Sequence, residues 1–160
     1  RVNLMLIGDG GARNSLEERA STIGIKDRIH FFGACFDEER IGPLLMAGDL
    51  CVCPGQTGLT VIHALSYGLP VITHDNLEDQ GPEVEAIVPN VTGLLYRHGD
   101  HADMLRRIHH WLDRDKGREA TASACIEVVK SRYTAIRQTE TIDRAVRGLP
   151  AVESDQSPSR

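Results

Sequence analysis

The chain has 160 residues, 41% hydrophobic, 26% charged and 4% aromatic, enough to bury one sizeable core and hardly two. A net charge of -5, from 18 basic against 23 acidic residues, argues against a nucleic-acid partner, because such binding leans on basic side chains meeting phosphates. No run approaches the ~18 to 20 apolar residues of a spanning helix and no cationic start leads into an apolar stretch, so a soluble, cytoplasmic chain is expected.

The first residues, Arg1-Val2-Asn3-Leu4-Met5-Leu6-Ile7, read directly as a strand with no initiator Met and no polar lead-in, as expected of a fragment. Apolar runs of strand length recur at Val2 to Ile7, Arg28 to Phe32, Leu50 to Cys53, Pro70 to Thr73 and Gly93 to Tyr96. Ala12 to Ile23 is rich in helix formers, and Asp37 to Ala47 also reads as a helix, with Pro43 near its first turn or kinking it. A short helix is expected from Gly58 or Leu59, and Asp100 caps another whose Met104, Leu105, Ile108, Trp111 and Leu112 share one face. Lys116 to about Arg147 reads as helical with few turn signals, and Gly148 to Arg160, rich in Pro, Ser and charge, as a disordered tail. Nearly continuous apolar strands alternating with helices predict a parallel sheet covered on both faces: a doubly wound, Rossmann-like α/β domain over residues 1–147.

Ligands of such sheets sit beyond the carboxyl ends of the strands, so the loops there carry the function. These loops are Gly8-Asp9-Gly10-Gly11, Gly33-Ala34-Cys35-Phe36, Pro54-Gly55-Gln56-Thr57-Gly58, His74-Asp75-Asn76 and Gln80-Gly81-Pro82-Glu83. The first is an incomplete dinucleotide fingerprint, since its third glycine falls at Arg13 and no acidic residue ends the next strand. On the helix after Gly58, Leu59, Ile62, Leu65 and Leu69 are expected to form the core stripe, and Thr60, His63 and Tyr67 another face. The N–H groups at its start face the ligand crevice and suit a diphosphate.

Cys35, Cys51, Cys53 and Cys125 lack CxxC spacing and read as small core residues. Cys51 and Cys53 share a strand face and, with Cys35 and His63, could in principle make a metal site, though no metal is expected. His98, His101, His109 and His110 read as surface residues. Ser66, His63 and Asp75 are the residue types of a hydrolase triad, but no nucleophile elbow surrounds Ser66.

An ordered series of motifs adds a family. Leu4-Met5-Leu6-Ile7-Gly8-Asp9-Gly10 with Leu16-Glu17, Ile29-His30-Phe31-Phe32-Gly33 with Asp37-Glu38-Glu39, and Ala47-Gly48-Asp49-Leu50 are followed by His63-Ala64-Leu65-Ser66-Tyr67-Gly68-Leu69-Pro70-Val71-Ile72 and Val91-Thr92-Gly93-Leu94-Leu95. Over about Val2 to Leu112 this resembles the C-terminal, nucleotide-sugar-binding half of retaining GT-B glycosyltransferases of the group 1 or family 4 type. The resemblance implies that Gly8 and Gly10 lie close to the nucleotide and that Phe32, Gly33, Ala34 and Cys35 run along its base. It places Thr57, Gly58, Leu59 and Thr60 at the diphosphate, His63 at the ribose, Gly55 in the donor-binding loop and Glu83 at the donor sugar, as the candidate catalytic contact.

The resemblance further implies a nucleotide diphosphate sugar as substrate, no cofactor and no metal. The acceptor, a sugar or lipid-linked glycan, is held by an N-terminal half absent here, in polysaccharide or glycoconjugate synthesis; peripheral attachment to the inner face of the membrane stays open. Two departures stand out. Where the family usually carries two glutamates, eight positions apart, this sequence has Gly55 and His63. The family's first strand of this half, with the Arg and Lys that follow it, also has no counterpart, so the isolated chain is expected to be marginally stable and inactive. A catalytically silent nucleotide-sugar-binding or interaction module that has lost the glutamates is the alternative.

Overall fold

The computed structural model describes residues 2–115 and 117–150; residues 151–160, most of the expected tail, lie outside the described residues. The chain divides into two compact units, one ending at Leu44 and the next beginning at Leu45.

In the first unit, β1 (Leu4–Ile7) runs parallel to β2 (Ile29–Gly33), pairing Leu4 with Ile29 and Leu6 with Phe31, and the register shifts after Leu6. Helix α1 (Arg13–Thr22) links them and buries only Ala20. Leu4, Met5 and Ile7 stay exposed, although an apolar strand of this kind usually has both faces covered. Helix α2 (Glu38–Ala47) crosses the division between the units. Pro43 stands six residues into it, past the first turn, where it cannot donate to the Glu39 carbonyl.

The second unit holds β3 (Cys51–Val52), β4 (Val71–His74) and β5 (Gly93–Tyr96), a parallel sheet in the order β3-β4-β5. Alternation along each strand feeds two cores. Val71, with Leu95, Cys51 and Cys53, packs toward Val61, Ala64 and Leu65 of α3 (Thr60–Ser66) and Cys125 of α5 (Arg118–Arg132). Ile72, with Leu94, Tyr96 and Leu50, packs toward Met104, Ile108, Trp111 and Leu112 of α4 (His101–Leu112). Helices therefore cover both faces, as expected of a doubly wound sheet, and each fully buried aliphatic side chain contributes ~1.5–3 kcal/mol. The final helix, α6 (Ala135–Val146), packs on α5.

Several expectations need correction. Helix α3 starts at Thr60, and its buried residues are Val61, Ala64 and Leu65; of the expected stripe Leu65 and Leu69 are buried and the half-buried Ile62 packs on the core, but Leu59 is 74% exposed, and Val61 and Ala64 widen the apolar face. Leu105 is exposed and does not join the α4 face. The helical stretch after Lys116 is two helices, broken where the Thr134 hydroxyl accepts from the Arg137 N–H at 3.3 Å to cap α6. The Asp100 cap is present, its carboxylate accepting from the Asp103 N–H at 2.8 Å. Among the described residues no helix is long and apolar enough to cross a membrane.

Candidate functional site

The expected site residues fall in both units. In the first, the Gly8 N–H donates to the Gly33 carbonyl at 2.9 Å, tying the turn after β1 to the end of β2. Asp9 steadies the same turn, its carboxylate accepting from the Gly10 N–H at 2.8 Å. Arg13 fills the space a third fingerprint glycine would leave open. Its guanidinium pairs with Glu17 at 2.9 Å, donates to the Phe31 carbonyl at 3.2 Å, and comes within 3.4 Å of where a Gly33 side chain would begin. Phe32 is half-buried, with the Arg40 guanidinium 5.4 Å over its ring and His30 tilted against it at 5.9 Å. Ala34 is exposed, and the half-buried Cys35 thiol meets the Asp37 carbonyl at 3.7 Å.

In the second unit the loops after β3 and β4 meet. Thr57 is buried, Gly58 half-buried, and Gly55, Leu59 and Thr60 are exposed. Of the backbone amides suited to a diphosphate, that of Thr57 already donates to the Gln80 side chain at 3.1 Å and that of Thr60 to the Thr57 carbonyl at 3.1 Å. His63 is half-buried with its ring edge-on to Tyr67 at 5.5 Å, so Thr60, His63 and Tyr67 do share a helix face. Glu83 lies in a 3₁₀ turn over Pro82–Ala86 that packs on α3. Its Oε2 stands 2.4 Å, and the Gly58 Cα 3.9 Å, from where a Gly81 side chain would begin. Gly81 therefore leaves room for the Glu83 carboxylate, which a side chain at this position would displace.

Behind this rim lies a polar layer that the sequence reading passed over. Thr73 and His74, at the carboxyl end of β4, are almost wholly buried. The Gln80 side chain reaches Gly55, Thr57, Thr73 and His74. The His74 ring lies tilted against that of His98, centroids 4.6 Å apart, and the His98 backbone N–H donates to Asp75. The only sequence signal for this layer is the polar turn from consecutive apolar residues to Thr73-His74. Beneath the loop, the Cys51 and Cys53 sulfurs are 3.7 Å apart. That contact and burial push the Cys51 thiol up, whereas the hydrogen bond from Cys51 holds the Cys53 thiol below its usual value. Burial raises the Tyr96 hydroxyl, which donates to the Pro54 carbonyl at 3.2 Å.

The arrangement does not support the metal or hydrolase readings. Among the described residues no group of three or more His, Cys, Asp or Glu is placed to hold a metal ion. The Ser66 hydroxyl is bonded to the Ile62 carbonyl at 2.7 Å, back along its own helix.

The model of the family described as "Glycosyl transferases group 1" matches residues 1–114. Lipopolysaccharide 1,6-galactosyltransferase of Escherichia coli strain K12 is 28% identical over 117 residues, 68% of this chain and 31% of that protein. Alpha-D-kanosaminyltransferase of Streptomyces kanamyceticus is 25% identical over 136 residues, 81% of this chain and 33% of that protein. The chain thus spans about a third of these curated relatives. Among solved structures, the apo form of the lipopolysaccharide outer core galactosyltransferase WaaB superposes with a TM-score of 0.73 at 16% identity, covering 91% of this chain and 40% of that one. HepE of Anabaena in complex with UDP gives 0.71 at 23% identity, covering 92% of this chain and 41% of that one. These likenesses show the fold, that of the GT-B glycosyltransferases.

Proposed function

The chain belongs to the group 1 glycosyl transferases, and from that membership we propose that it is the C-terminal, donor-binding part of a transferase that moves a sugar from a nucleotide diphosphate sugar to an acceptor with retention at the anomeric carbon. Gly8, Gly10 and the segment from Phe32 to Cys35 line the nucleoside, the Thr57 to Thr60 segment takes the diphosphate, His63 bonds a ribose hydroxyl and Glu83 meets the donor sugar. The observation that supports this reading is that the Glu83 carboxylate and the Gly58 Cα both border the side-chain space that Gly81 leaves open.

Catalysis needs no metal in this reading. The Gly58 and Leu59 N–H groups, rather than the already bonded ones of Thr57 and Thr60, stabilise the charge that develops on the departing diphosphate, and one of its oxygens takes the acceptor's proton. The acceptor, a sugar or lipid-linked glycan, belongs to the other half of such enzymes, so this chain alone binds donor without transferring it. The lipopolysaccharide galactosyltransferase among its relatives supports a place in surface polysaccharide or glycoconjugate synthesis.

The second reading is a silent nucleotide-sugar-binding module, and Gly55 favours it because it offers no side chain where the family usually carries a glutamate. Isothermal titration of UDP- and GDP-sugars into the complete enzyme, with and without His63→Ala, tests both. Micromolar binding weakened about tenfold by the substitution, ~1.4 kcal/mol, supports His63 at the ribose. Donor binding without transfer or slow donor hydrolysis supports the silent module, and no binding to any donor refutes the donor reading.

A further inference from the structure

A single side chain ties together three segments behind the candidate site. Gln80 Oε1 accepts from the Thr57 N–H at 3.1 Å and from the Thr57 hydroxyl at 3.0 Å. Gln80 Nε2 lies 3.4 Å from the Gly55 carbonyl, 3.0 Å from the Thr73 hydroxyl and 3.0 Å from His74 Nε2.

The orientation of this amide follows from its partners. A backbone N–H can only donate, so the Gln80 atom at Thr57 is the oxygen and the opposite atom is the amide nitrogen. The Thr73 hydroxyl gives its own proton to the Cys53 carbonyl at 2.8 Å and so receives one from Gln80. His74 Nε2, facing the same NH2 group, must also accept, which leaves the ring proton on Nδ1. That Nδ1 is buried and has no hydrogen-bond partner among the described residues. An unpaired buried donor costs stability, so local folding alone does not favour this tautomer; the Gln80 amide imposes it.

We infer that Gln80 is a positioning residue for donor binding: one amide, oriented by Thr57, holds the Pro54–Leu59 loop to the carboxyl end of β4 and fixes His74 as its Nδ1–H tautomer. The inference rests on the donor-binding reading above. Gln80 acts through Thr57 and His74 and does not itself touch the donor.

Two variants of the full chain test it, with UDP and GDP as probes. Gln80→Glu keeps an oxygen for Thr57 but sets a second oxygen against His74 Nε2, so the ring proton must move there. Gln80→Leu fills similar space with no polar contact, and Gln80→Glu guards against its simply failing to fold. Nitrogen-15 spectra of the histidine rings should show the His74 proton on Nδ1 in the wild type and on Nε2 in Gln80→Glu. The affinity for whichever nucleotide binds should fall about tenfold in both variants. An unmoved His74 proton in Gln80→Glu, or affinities within twofold of the wild type in both variants, overturns the inference. A wild-type chain that binds neither nucleotide refutes the donor reading and the positioning role with it, and the ring spectra then report separately whether Gln80 holds His74.

Discussion

Replacing Gly68 by Ala measures how closely helix α5 is seated against the end of α3. Gly68 has a φ of +76°, and a Cβ there would stand 2.7 Å from the Ala122 Cβ and 3.1 Å from its Cα, closer than real side chains pack. Gly99 provides the control, because its φ of +75° is nearly the same and nothing lies within 4 Å of its Cβ position. The left-handed backbone costs an Ala ~1–2 kcal/mol at either site. Only Gly68→Ala adds the overpacking against α5, ~1–3 kcal/mol, for a total of ~2–5 kcal/mol. Ala122→Gly alone costs ~1 kcal/mol of helix propensity. Combined with Gly68→Ala it removes the tightest contact and leaves the backbone Cα at 3.1 Å, so the pair should couple favourably, by ~0.5–3 kcal/mol. Urea unfolding of the full chain can be followed through Trp111, its one tryptophan, buried against Ile72 and Leu94. Equal losses at Gly68 and Gly99, or strictly additive effects in the double variant, would refute the close seating of α5 on α3.

Two further outcomes are expected. The Arg97 backbone N–H first, then the Arg106 and Arg107 guanidinium groups, hold the Asp103 carboxylate below its usual range against an opposing contribution from burial. A carboxyl lowered on folding stabilises fully above its unfolded pKa of ~3.9, and that stability is lost as pH falls through the folded value. The thermal midpoint of Asp103→Asn should therefore lie below that of the wild type near neutrality, with the gap closing below about pH 4; a gap independent of pH would contradict the assignment. Limiting iodoacetamide should alkylate Cys53 ahead of Cys51, and Cys51→Ala should slow the reaction at Cys53 severalfold, because it removes the hydrogen bond that favours the thiolate. Peptide mass spectrometry reads both sites, and faster labelling of Cys51 would be the contrary result.

The alternation of strands and helices was legible because each apolar run and each cap is a local signal: Gly93 to Tyr96 was placed to the residue, and Asp100 caps α4 as its chemistry requires. What local pattern could not supply was the extent of the core face of a short helix. Over these seven residues and the turn that follows, Ile62, Leu65 and Leu69 keep to the core as expected, while Val61 and Ala64 join them and Leu59 is left outside, because both stripes are apolar. The break at Thr134 was hidden because a capping threonine looks like any helical threonine until its backbone is seen to be extended. For the site, the glycine loops and the Gly81-Pro82-Glu83 turn announced themselves. Gln80 did not, since its partners lie 6 to 25 residues away in sequence and no spacing rule links them.

Strand β4 changes character halfway along its length. Val71 and Ile72 are hydrocarbon, Thr73 and His74 are hydrogen-bonding, and all four are buried. The interior of the sheet is thus graded from oily to polar toward the carboxyl ends of its strands, and the first polar groups of that edge belong to a strand flanked on both sides. Exposed residues such as Gln56 and Leu59 can be exchanged with little cost to the scaffold, whereas Thr73 and His74 cannot be changed without disturbing strand packing and loop anchorage together. Under the donor-binding reading, differences in donor preference are therefore expected in the outer loops, above a floor held constant by folding itself.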